Sequence, residues 1–476
     1  MSLAEQYASL AQHFSYERLE KLVEACADFY HKSLGKDCLS DAYERRNQLA
    51  KYVRKFHEEC GTLTSAVQEA IKNLESGSCL FLMAAHQPNL FAYSGVLRKA
   101  TLNHVLAQRL QENLKVPVVD FFGVADQDFT DDRWVRSALL PYVERRGGLL
   151  ELRFDMPEKI MLSRVAKPSR KVLGEWRNEI KNWMDKKLRS IARDCVALGL
   201  QHTDQSASLA GNFERFWAIA EDAYERAETY ADFNAFVMSM VVNKIWGYGT
   251  LFSKFSECQQ IFEREFCFLL SRFDEYSRYV KEAMTQTGNV GGGVYEQEFE
   301  TAPFWYHCNC GSKARLKIEQ KNEHLIGQGR CVRCDSEYQF DFGLKSEPHM
   351  SEIMQRVSAR SISMPIVFFH GLKVGCYVGG VGGTEYLKQA QHVAGNLGTT
   401  FSPVVVWRPK DVYFGVGQLE ALMVFRKLSG TFDFSKYPQI EDGWRRKVAE
   451  VQGKIAELER EKKQLCDSGG GRKEEQ

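Results

Sequence analysis

A strand–helix–strand pattern between residues 79 and 124 constrains the fold more than any other feature. The apolar run at 79–85 predicts a buried strand, and the apolar residues after Ser94 have helical spacing up to about residue 114. Residues 116–124 form a second apolar run, whose β-branched and aromatic content suits a buried parallel strand. Two strands joined by one helix lie parallel in the same sheet. The chain is therefore predicted to be an α/β protein with a Rossmann-like core.

Polar side chains follow both predicted strands. His86 and Gln87 come directly after the first strand, and Asp126 and Asp128 follow the second. The carboxyl ends of parallel strands meet at one edge of a sheet, and α/β sheets bind their ligands there. The sequence therefore predicts a binding site at this edge, with His86 at its centre.

The acidic loop after the second strand has two interpretations. Asp126 and Asp128 lie at the strand end, where carboxylates could bind a metal ion or the hydroxyl and amino groups of a substrate. The loop could equally be solvated, with aspartates that cap a helix. We favour this second interpretation for Asp131 and Asp132 and leave both open for Asp126 and Asp128.

A glycine-rich turn marks a second α/β region at residues 346–430. Residues 362–371 are strand-like, and a further strand from Val374 leads through the turn into a helix near Tyr386. Glycine allows positive φ and a close approach of the backbone, so the turn could bind a phosphate or carboxylate. The last strand of the region ends at Arg408, which could pair with the same anion. The predicted ligand-binding residues are Gln87, Asn89, Tyr377, Gly379, Gly380, Gly382, Gly383, Glu385, Tyr386 and Arg408.

Four cysteines in two close pairs predict a metal site. Cys308 and Cys310 form the first pair, and Cys331 and Cys334 form the second about twenty residues later. Two tight turns that each present two sulfurs complete a tetrahedral zinc site. Because protein sulfurs would fill all four positions, the zinc would be structural. We predict a zinc ribbon at residues 301–345.

Composition gives no sign of a nucleic-acid or membrane partner. The chain has 476 residues, enough for two or three domains, and a formal net charge of +1. No apolar run reaches the roughly 20 residues that span a bilayer, and we find no secretory signal at the N-terminus. Most of the 13 cysteines lie in apolar patterns, which is typical of reduced, buried thiols. We expect a cytoplasmic protein.

The C-terminal part carries a heptad pattern. Apolar residues from Trp444 to Leu465 recur at coiled-coil spacing over about three heptads. They predict a coiled coil at 440–466 and, through it, a homodimer. Packing of this helix against the rest of the protein is the alternative.

The whole chain is predicted to have seven segments, which alternate between helical and α/β patterns. They are an N-terminal helical region (1–77), the first half of the core (78–154), a helical insertion (155–300), the zinc ribbon (301–345), the second half of the core (346–430), the coiled coil (440–466) and a disordered tail (467–476).

Four motifs occur in the same order as in one known family. His86-Gln-Pro-Asn-Leu-Phe with Arg98-Lys99 is similar to Q-Q-P-G-L-F…K-A, and residues 122–129 are similar to a strand that ends in D-x-D-F. Cys376-Tyr-Val-Gly-Gly-Val-Gly-Gly-Thr-Glu-Tyr resembles Y-V-G-G-P-G-E-x-x-Y, and residues 404–409 resemble V-x-P-R-P. These are motifs of the bacillithiol-biosynthesis cysteine-adding enzymes, the BshC family. The resemblance spans most of residues 80–465.

The chain also departs from that family at defined positions. His86 stands where the family has its first glutamine, and Val381 stands where the glycine turn has proline. The acidic residue of the turn is displaced to Glu385, and the zinc ribbon is not a standard family feature.

The resemblance implies a fold and an activity. The fold would be a Rossmann-like core related to class I aminoacyl-tRNA synthetases and nucleotidyltransferases, with a dimerising coiled coil. The activity would be that of a ligase that joins cysteine to the glucosamine nitrogen of glucosaminyl malate, with a site for ATP or ADP. Two alternatives stay open: a ligase or nucleotidyltransferase for another amine in glycan or secondary metabolism, and a non-catalytic binding module.

A ligase of this kind gives each predicted residue a role. His86 and Lys99 would contact a phosphate or the developing oxyanion. Asp126 or Asp128 would orient or deprotonate the amine. The glycine turn would bind the nucleotide or a substrate carboxylate, with Arg408 as the counter-ion.

Overall fold

The structure, a computed structural model, describes residues 16, 18–34, 41–197, 199, 206–287, 300–406, 416–431 and 433–469. The chain forms two compact units. The larger unit comprises residues 1–139, 151–179 and 207–412, and the smaller unit comprises residues 140–150, 180–206 and 413–476.

Strands and helices alternate along most of the described chain. The strands are β1 (Leu80–His86), β2 (Val118–Val124), β3 (Ser137–Pro141), β4 (Leu149–Arg153), β5 (Leu251–Lys254), β6 (Phe304–His307), β7 (Lys313–Lys321), β8 (His324–Cys331), β9 (Glu337–Leu344), β10 (Val357–Ala359), β11 (Val374–Gly379) and β12 (Val404–Val406). The α-helices are α1 (Leu19–Ser33), α2 (Tyr43–Cys60), α3 (Ser65–Glu75), α4 (Ser94–Leu114), α5 (Arg133–Arg136), α6 (Arg170–Ala197), α7 (Ser206–Arg226), α8 (Tyr230–Met240), α9 (Phe255–Cys258), α10 (Glu263–Ser271), α11 (Phe273–Thr287), α12 (Ser363–Leu372), α13 (Thr384–Leu397), α14 (Val416–Ser429) and α15 (Tyr437–Gly469).

Five strands of the larger unit form a parallel sheet in the order β12–β11–β1–β2–β5. The central strand β1 pairs on one side with β2, the next strand in the chain, and on the other with the much later β11. This order is the one found in doubly wound dinucleotide-binding sheets, so the structure is compatible with the predicted Rossmann-like core. The strand order reverses between β1 and β11, and ligands bind in the crevice at such a reversal.

The parallel sheet is covered on both faces, as its apolar sequence predicts. Every residue of β1 before His86 is buried. Phe81 and Met83 belong to one core cluster with Leu49 and Val53 of α2. Burying one such side chain contributes roughly 1.5–3 kcal/mol to stability, which holds the N-terminal helices against the sheet. The predicted helical character of residues 1–77 agrees with α1, α2 and α3 in the described part of that region.

The predicted helical insertion at 155–300 also contains a strand of the sheet. Helices α6, α7 and α8 lie in this segment, but residues 251–254 form β5 and pair in parallel with β2. The Phe252 N–H donates to His57 Nε2 at 3.0 Å, so an α2 side chain accepts a hydrogen bond from this edge strand. A four-residue strand is too short for periodicity to reveal.

The prediction of a strand at residues 362–371 is wrong, because this stretch forms α12. Eight of its residues are buried, so the helix is apolar on all sides and has no amphipathic pattern. Pro365 sits in the first turn, where its missing N–H costs no helical hydrogen bond. A short apolar run of this kind does not distinguish a buried helix from a strand.

A second sheet in the larger unit is antiparallel, in the order β10–β6–β7–β8–β9. Its central hairpin pairs Lys321 with His324 around a two-residue turn. Asn322 and Glu323 both have positive φ in that turn, at 50° and 69°. Two positive φ angles match the right-handed twist of the strands. Strands β6, β7, β8 and β9 flank the four cysteines.

In the smaller unit, a buried ion pair and a long exposed helix stand out. The Lys187 ammonium donates to Glu420 Oε1 at 2.8 Å, and both side chains are buried. Helix α15 follows, and its apolar residues Trp444, Val448, Val451, Ile455 and Leu458 are 46–63% exposed. The helix is present as predicted, and its pairing in a coiled coil stays a prediction. None of the described helices combines the length and apolar character needed to cross a bilayer.

Candidate functional site

The candidate site lies at the carboxyl edge of the parallel sheet. His86 ends β1, opposite Val124 at the end of β2, and Gly379 ends β11 on the other side. Because the three strands are parallel, the segments that follow them leave the sheet at the same edge. The loop from Asp126 to Asp128 and the glycine turn therefore leave the sheet at the same edge as His86.

His86 is a neutral imidazole at pH 7. Its Nδ1 lies 3.0 Å from the Gln87 carbonyl oxygen, which only accepts hydrogen bonds, so Nδ1 carries the proton. Nε2 is then an acceptor and lies 3.2 Å from the Tyr93 hydroxyl. Burial, and after it the charge of Lys99, lowers the pKa of His86 to about 3. The predicted contact with an oxyanion would require His86 to gain a proton at Nε2.

The turn after β1 is linked to Asp128. The Gln87 amide nitrogen donates to Asp128 Oδ2 at 3.0 Å. Burial raises the pKa of the Asp128 carboxyl, against the opposing effects of Lys313 and the Gln87 hydrogen bond. Asn89, 3% exposed, is close enough to His86 to favour its protonation. Among the described residues, its two buried amide atoms have no hydrogen-bond partner of normal geometry.

Asp126 has a structural task. Its carboxylate accepts a hydrogen bond from the Ser256 backbone N–H at 2.9 Å and another from the Ser256 hydroxyl. Ser256 lies in the first turn of α9, so Asp126 holds this short helix against the end of β2. Burial raises the pKa of Asp126 to about 6. Asp126 is buried and not solvated, so only the capping part of the second interpretation describes it. Asp132 also caps a helix, because it accepts a hydrogen bond from the Trp134 N–H at 2.8 Å.

Lys99 connects the ends of β1 and β11. Its ammonium donates to the Ala85 carbonyl at 3.2 Å, and the side chain is 9% exposed. A Cβ atom on Gly380 would lie 3.1 Å from Lys99 Cε and 3.2 Å from Nζ. Glycine at this position therefore lets the lysine lie against the turn. Burial lowers the pKa of Lys99 to about 8, so the lysine remains mostly charged at neutral pH.

The glycine turn differs from its prediction in conformation. None of Gly379, Gly380, Gly382 and Gly383 has a positive φ, and residues 381–383 form a 3-10 turn that runs into α13. These glycines therefore do not use the positive φ that glycine allows, and the close approach of Lys99 explains glycine at position 380.

Two tyrosines and a glutamate complete the α13 side of the site. Burial raises the pKa of Tyr377, which is 3% exposed and shares a hydrogen bond with Tyr386. The negative charge of Asp128 also raises the pKa of Tyr377, so the two side chains interact electrostatically. Glu385 is buried in the first turn of α13. Arg408 lies outside the described residues.

Lys313 lies at the site, although no pattern in the sequence predicts it there. It begins β7, and its ammonium lies 4.5 Å from the centroid of the Phe129 ring and 5.7 Å from that of Trp305. Burial lowers the pKa of Lys313 to about 8, and the charge of Asp128 acts against this effect. Its place three residues after Cys310 was visible in the sequence, but no local pattern connects β7 with the end of β2.

The four predicted cysteines come together. The Cys308 and Cys334 sulfurs are 3.5 Å apart, the Cys310 and Cys331 sulfurs are 3.6 Å apart, and all four lie within 4.8 Å of one another. Sulfurs around a tetrahedral zinc at about 2.3 Å would be spaced by roughly 3.8 Å, so the cluster fits a metal ion. Hydrogen bonding to Ser336 lowers the pKa of Cys334 to about 6, which favours the thiolate that binds metal.

No protein-family model matches this chain.

Proposed function

We propose that the protein is a ligase that forms a C–N bond between an amino acid and the amine of an amino sugar, as in the BshC family. The observation that carries the proposal is the set of side chains at the sheet reversal between β1 and β11. Asp128, Lys99 and His86 lie there, at the edge where α/β folds bind ligands.

Asp128 is the proposed base. Amide formation needs a neutral amine, and a protonated amine must first lose a proton. Burial raises the pKa of Asp128 towards neutral pH, and a general base works best when its pKa is near the working pH. Gln87 holds one carboxylate oxygen, which leaves the other to meet the amine.

Lys99 is the proposed electrostatic stabiliser. Attack on an activated carboxylate builds negative charge on the carbonyl oxygen, and a fixed cation at that oxygen lowers the barrier. Lys99 is buried, held by the Ala85 carbonyl and charged at neutral pH, so its position needs little reorganisation. In the resting form His86 Nε2 accepts hydrogen bonds, which suits a substrate hydroxyl or ammonium.

Two further groups would support the reaction from outside its bond-forming step. The four cysteines would hold zinc, and with all coordination positions filled by protein the metal would be structural and would not contact the substrate. ATP or ADP would bind near the glycine turn, where the N-terminus of α13 favours phosphate. Phosphoryl or adenylyl transfer from ATP would activate the amino-acid carboxylate, and phosphate or AMP would leave as the C–N bond forms.

The test is a search for the product. Purified protein is incubated with cysteine, glucosaminyl malate and ATP, and mass spectrometry looks for the amide. His86→Ala and Lys99→Met should reduce its formation while the protein stays folded. A panel of other amino sugars tests for a different amine. The proposal is wrong if no amine in the panel is acylated, and a non-catalytic binding module would then be the better description.

A further inference from the structure

Lys313 is a buried cation without an ion pair. Its side chain is 4% exposed, yet no carboxylate oxygen of a described residue lies within 4.0 Å of its ammonium. The rings of Phe129 and Trp305 supply cation–π contacts instead. Burying a lysine charge without an anion is costly, so such a residue suggests a missing partner.

Asp128 is near Lys313 but does not fill that role. Each charge shifts the pKa of the other, although the two groups are too far apart for a direct ion pair. The Asp128 carboxylate accepts a hydrogen bond from the Gln87 amide. The ring of the next residue, Phe129, lies against the Lys313 ammonium. Asp128 and Lys313 therefore present opposite charges to the same part of the site.

Both cysteine turns fix the backbone of Lys313. The Cys308 N–H donates to the Ser312 carbonyl at 2.9 Å, and the Val332 N–H donates to the Lys313 carbonyl at 2.9 Å. His307 is the antiparallel partner of Lys313 across β6 and β7. The first residue of β7 is thus held from the Cys308–Cys310 side and from the Cys331–Cys334 side together.

Hydrogen bonds also connect the first cysteine turn to the acidic loop. The Met161 N–H donates to the Gly311 carbonyl at 2.9 Å, and the Leu162 N–H donates to the Asp128 carbonyl at 3.0 Å. Phe129 and Met161 form an antiparallel bridge. Two residues of one short segment therefore join the metal-binding turn to the candidate base.

We propose that Lys313 binds an anionic group of the ligand, a carboxylate or a phosphate, and that metal binding by the four cysteines positions this lysine. The antiparallel sheet would then contribute an anion-binding group to the site, in addition to the proposed anion-binding glycine turn. The proposal rests on the proposed function only in sharing its site, because anion binding does not require turnover.

Binding of simple anions tests the role of Lys313. The zinc-loaded full chain is titrated with malate and, separately, with inorganic phosphate in a calorimeter. The two titrations distinguish a carboxylate site from a phosphate site. Lys313→Met should weaken binding of the preferred anion by about 10- to 100-fold, the loss of affinity typical of one charged hydrogen bond. Lys317→Met is the matched control on the same strand, because Lys317 is exposed and pairs with Glu300.

Stability separates binding from a structural role. Removing a buried, unpaired charge should leave Tm of Lys313→Met unchanged or higher. A lower Tm with unchanged anion affinity would overturn the proposal, and so would a wild-type protein that binds neither anion at millimolar concentration. Anion binding without amide formation would contradict the proposed function and would still support the proposed anion site at Lys313.

The proposed effect of metal on Lys313 is tested with the same anion titration. Zinc content is measured, zinc is removed with a chelator, and the anion affinity is measured before and after zinc is restored. Cys334→Ser, at the exposed corner of the cluster, provides a second route to metal loss. Affinity should fall on removal and return on reloading. A metal-free protein that binds the anion as tightly as the loaded one would show that the cysteines do not position Lys313.

Discussion

Asp126 and Asp128 are two residues apart, yet their carboxylates have different partners. Asp126 accepts two hydrogen bonds from Ser256, whereas Asp128 bonds Gln87 and faces the charge of Lys313. The sequence places both at the strand end and does not separate them. Only the neighbours of each side chain assign one to structure and the other to the proposed chemistry.

Amide substitution at each aspartate should separate the two tasks. Asp128→Asn removes the proposed base, so kcat should fall about 10²- to 10⁴-fold with little change in Tm. Asp126→Asn retains one acceptor and loses the other, so it should cost about 1 kcal/mol of stability and leave kcat of the folded protein near wild type. Steady-state kinetics and thermal unfolding measure the pair. A loss of kcat in Asp126→Asn at unchanged stability would contradict this assignment.

Buried neutral histidines should make the protein sensitive to acid. His57 Nδ1 lies 2.7 Å from the Thr62 hydroxyl and Nε2 accepts from Phe252, and burial lowers the pKa of His57 to about 3. The unfolded chain binds this proton near pH 6.5. The contribution of His57 is therefore complete above pH 6.5 and is lost as the pH falls towards 3.

Urea unfolding at two pH values measures this effect. Between pH 7 and pH 5, wild type should lose about 2 kcal/mol more of its free energy of unfolding than His57→Gln, which cannot titrate there. His31→Gln serves as the control, because His31 is on the exposed surface of α1. Equal losses in wild type and His57→Gln would show that His57 is not the source.

At the scale of elements, Gly123 explains how α9 packs on β2. A Cβ atom at this position would lie 2.1 Å from Phe255 Cε1, so the ring needs the space that glycine leaves. Gly123→Ala should therefore destabilise the protein by about 1–3 kcal/mol through overpacking. Gly174→Ala in α6 meets no atom within 4 Å and should stabilise by up to about 1 kcal/mol. Chemical denaturation of both variants checks the signs, and a neutral Gly123→Ala would mean that Phe255 can move at no cost.

The whole molecule is expected to be a homodimer through α15. Val451 and Ile455 are 53% and 50% exposed on the heptad stripe, and burying such residues between two helices would drive association. The double variant Val451→Glu with Ile455→Glu should sediment as a monomer, whereas Glu450→Gln, off the stripe, should not change the mass. Analytical ultracentrifugation over a range of concentrations measures the mass of the wild type and of each variant in solution. A wild-type monomer at micromolar concentration would contradict the predicted coiled coil.

Several parts of the site were predictable because local sequence determines them. The ends of β1 and β2 follow from apolar runs with polar residues after them, and the cysteine pairs follow from their spacing. Lys313 was not predictable, because only the packing of the second sheet brings it near Asp128. The error at 362–371 has a related cause, since a fully buried helix has no polar face to reveal its period.

The sequence by itself determined the parallel α/β class, the strand ends that carry His86 and Asp128, and the four cysteines that could hold a metal ion. These depend on periodicity and short spacing, which are local properties of the chain. The tertiary structure alone decided that β11 pairs with β1, that Ser256 donates hydrogen bonds to Asp126, and that the charges of Lys313 and Asp128 affect each other. Each of these depends on contacts between residues far apart in the chain. The burial and neighbouring charges that set the pKa of a side chain exist only once those contacts have formed.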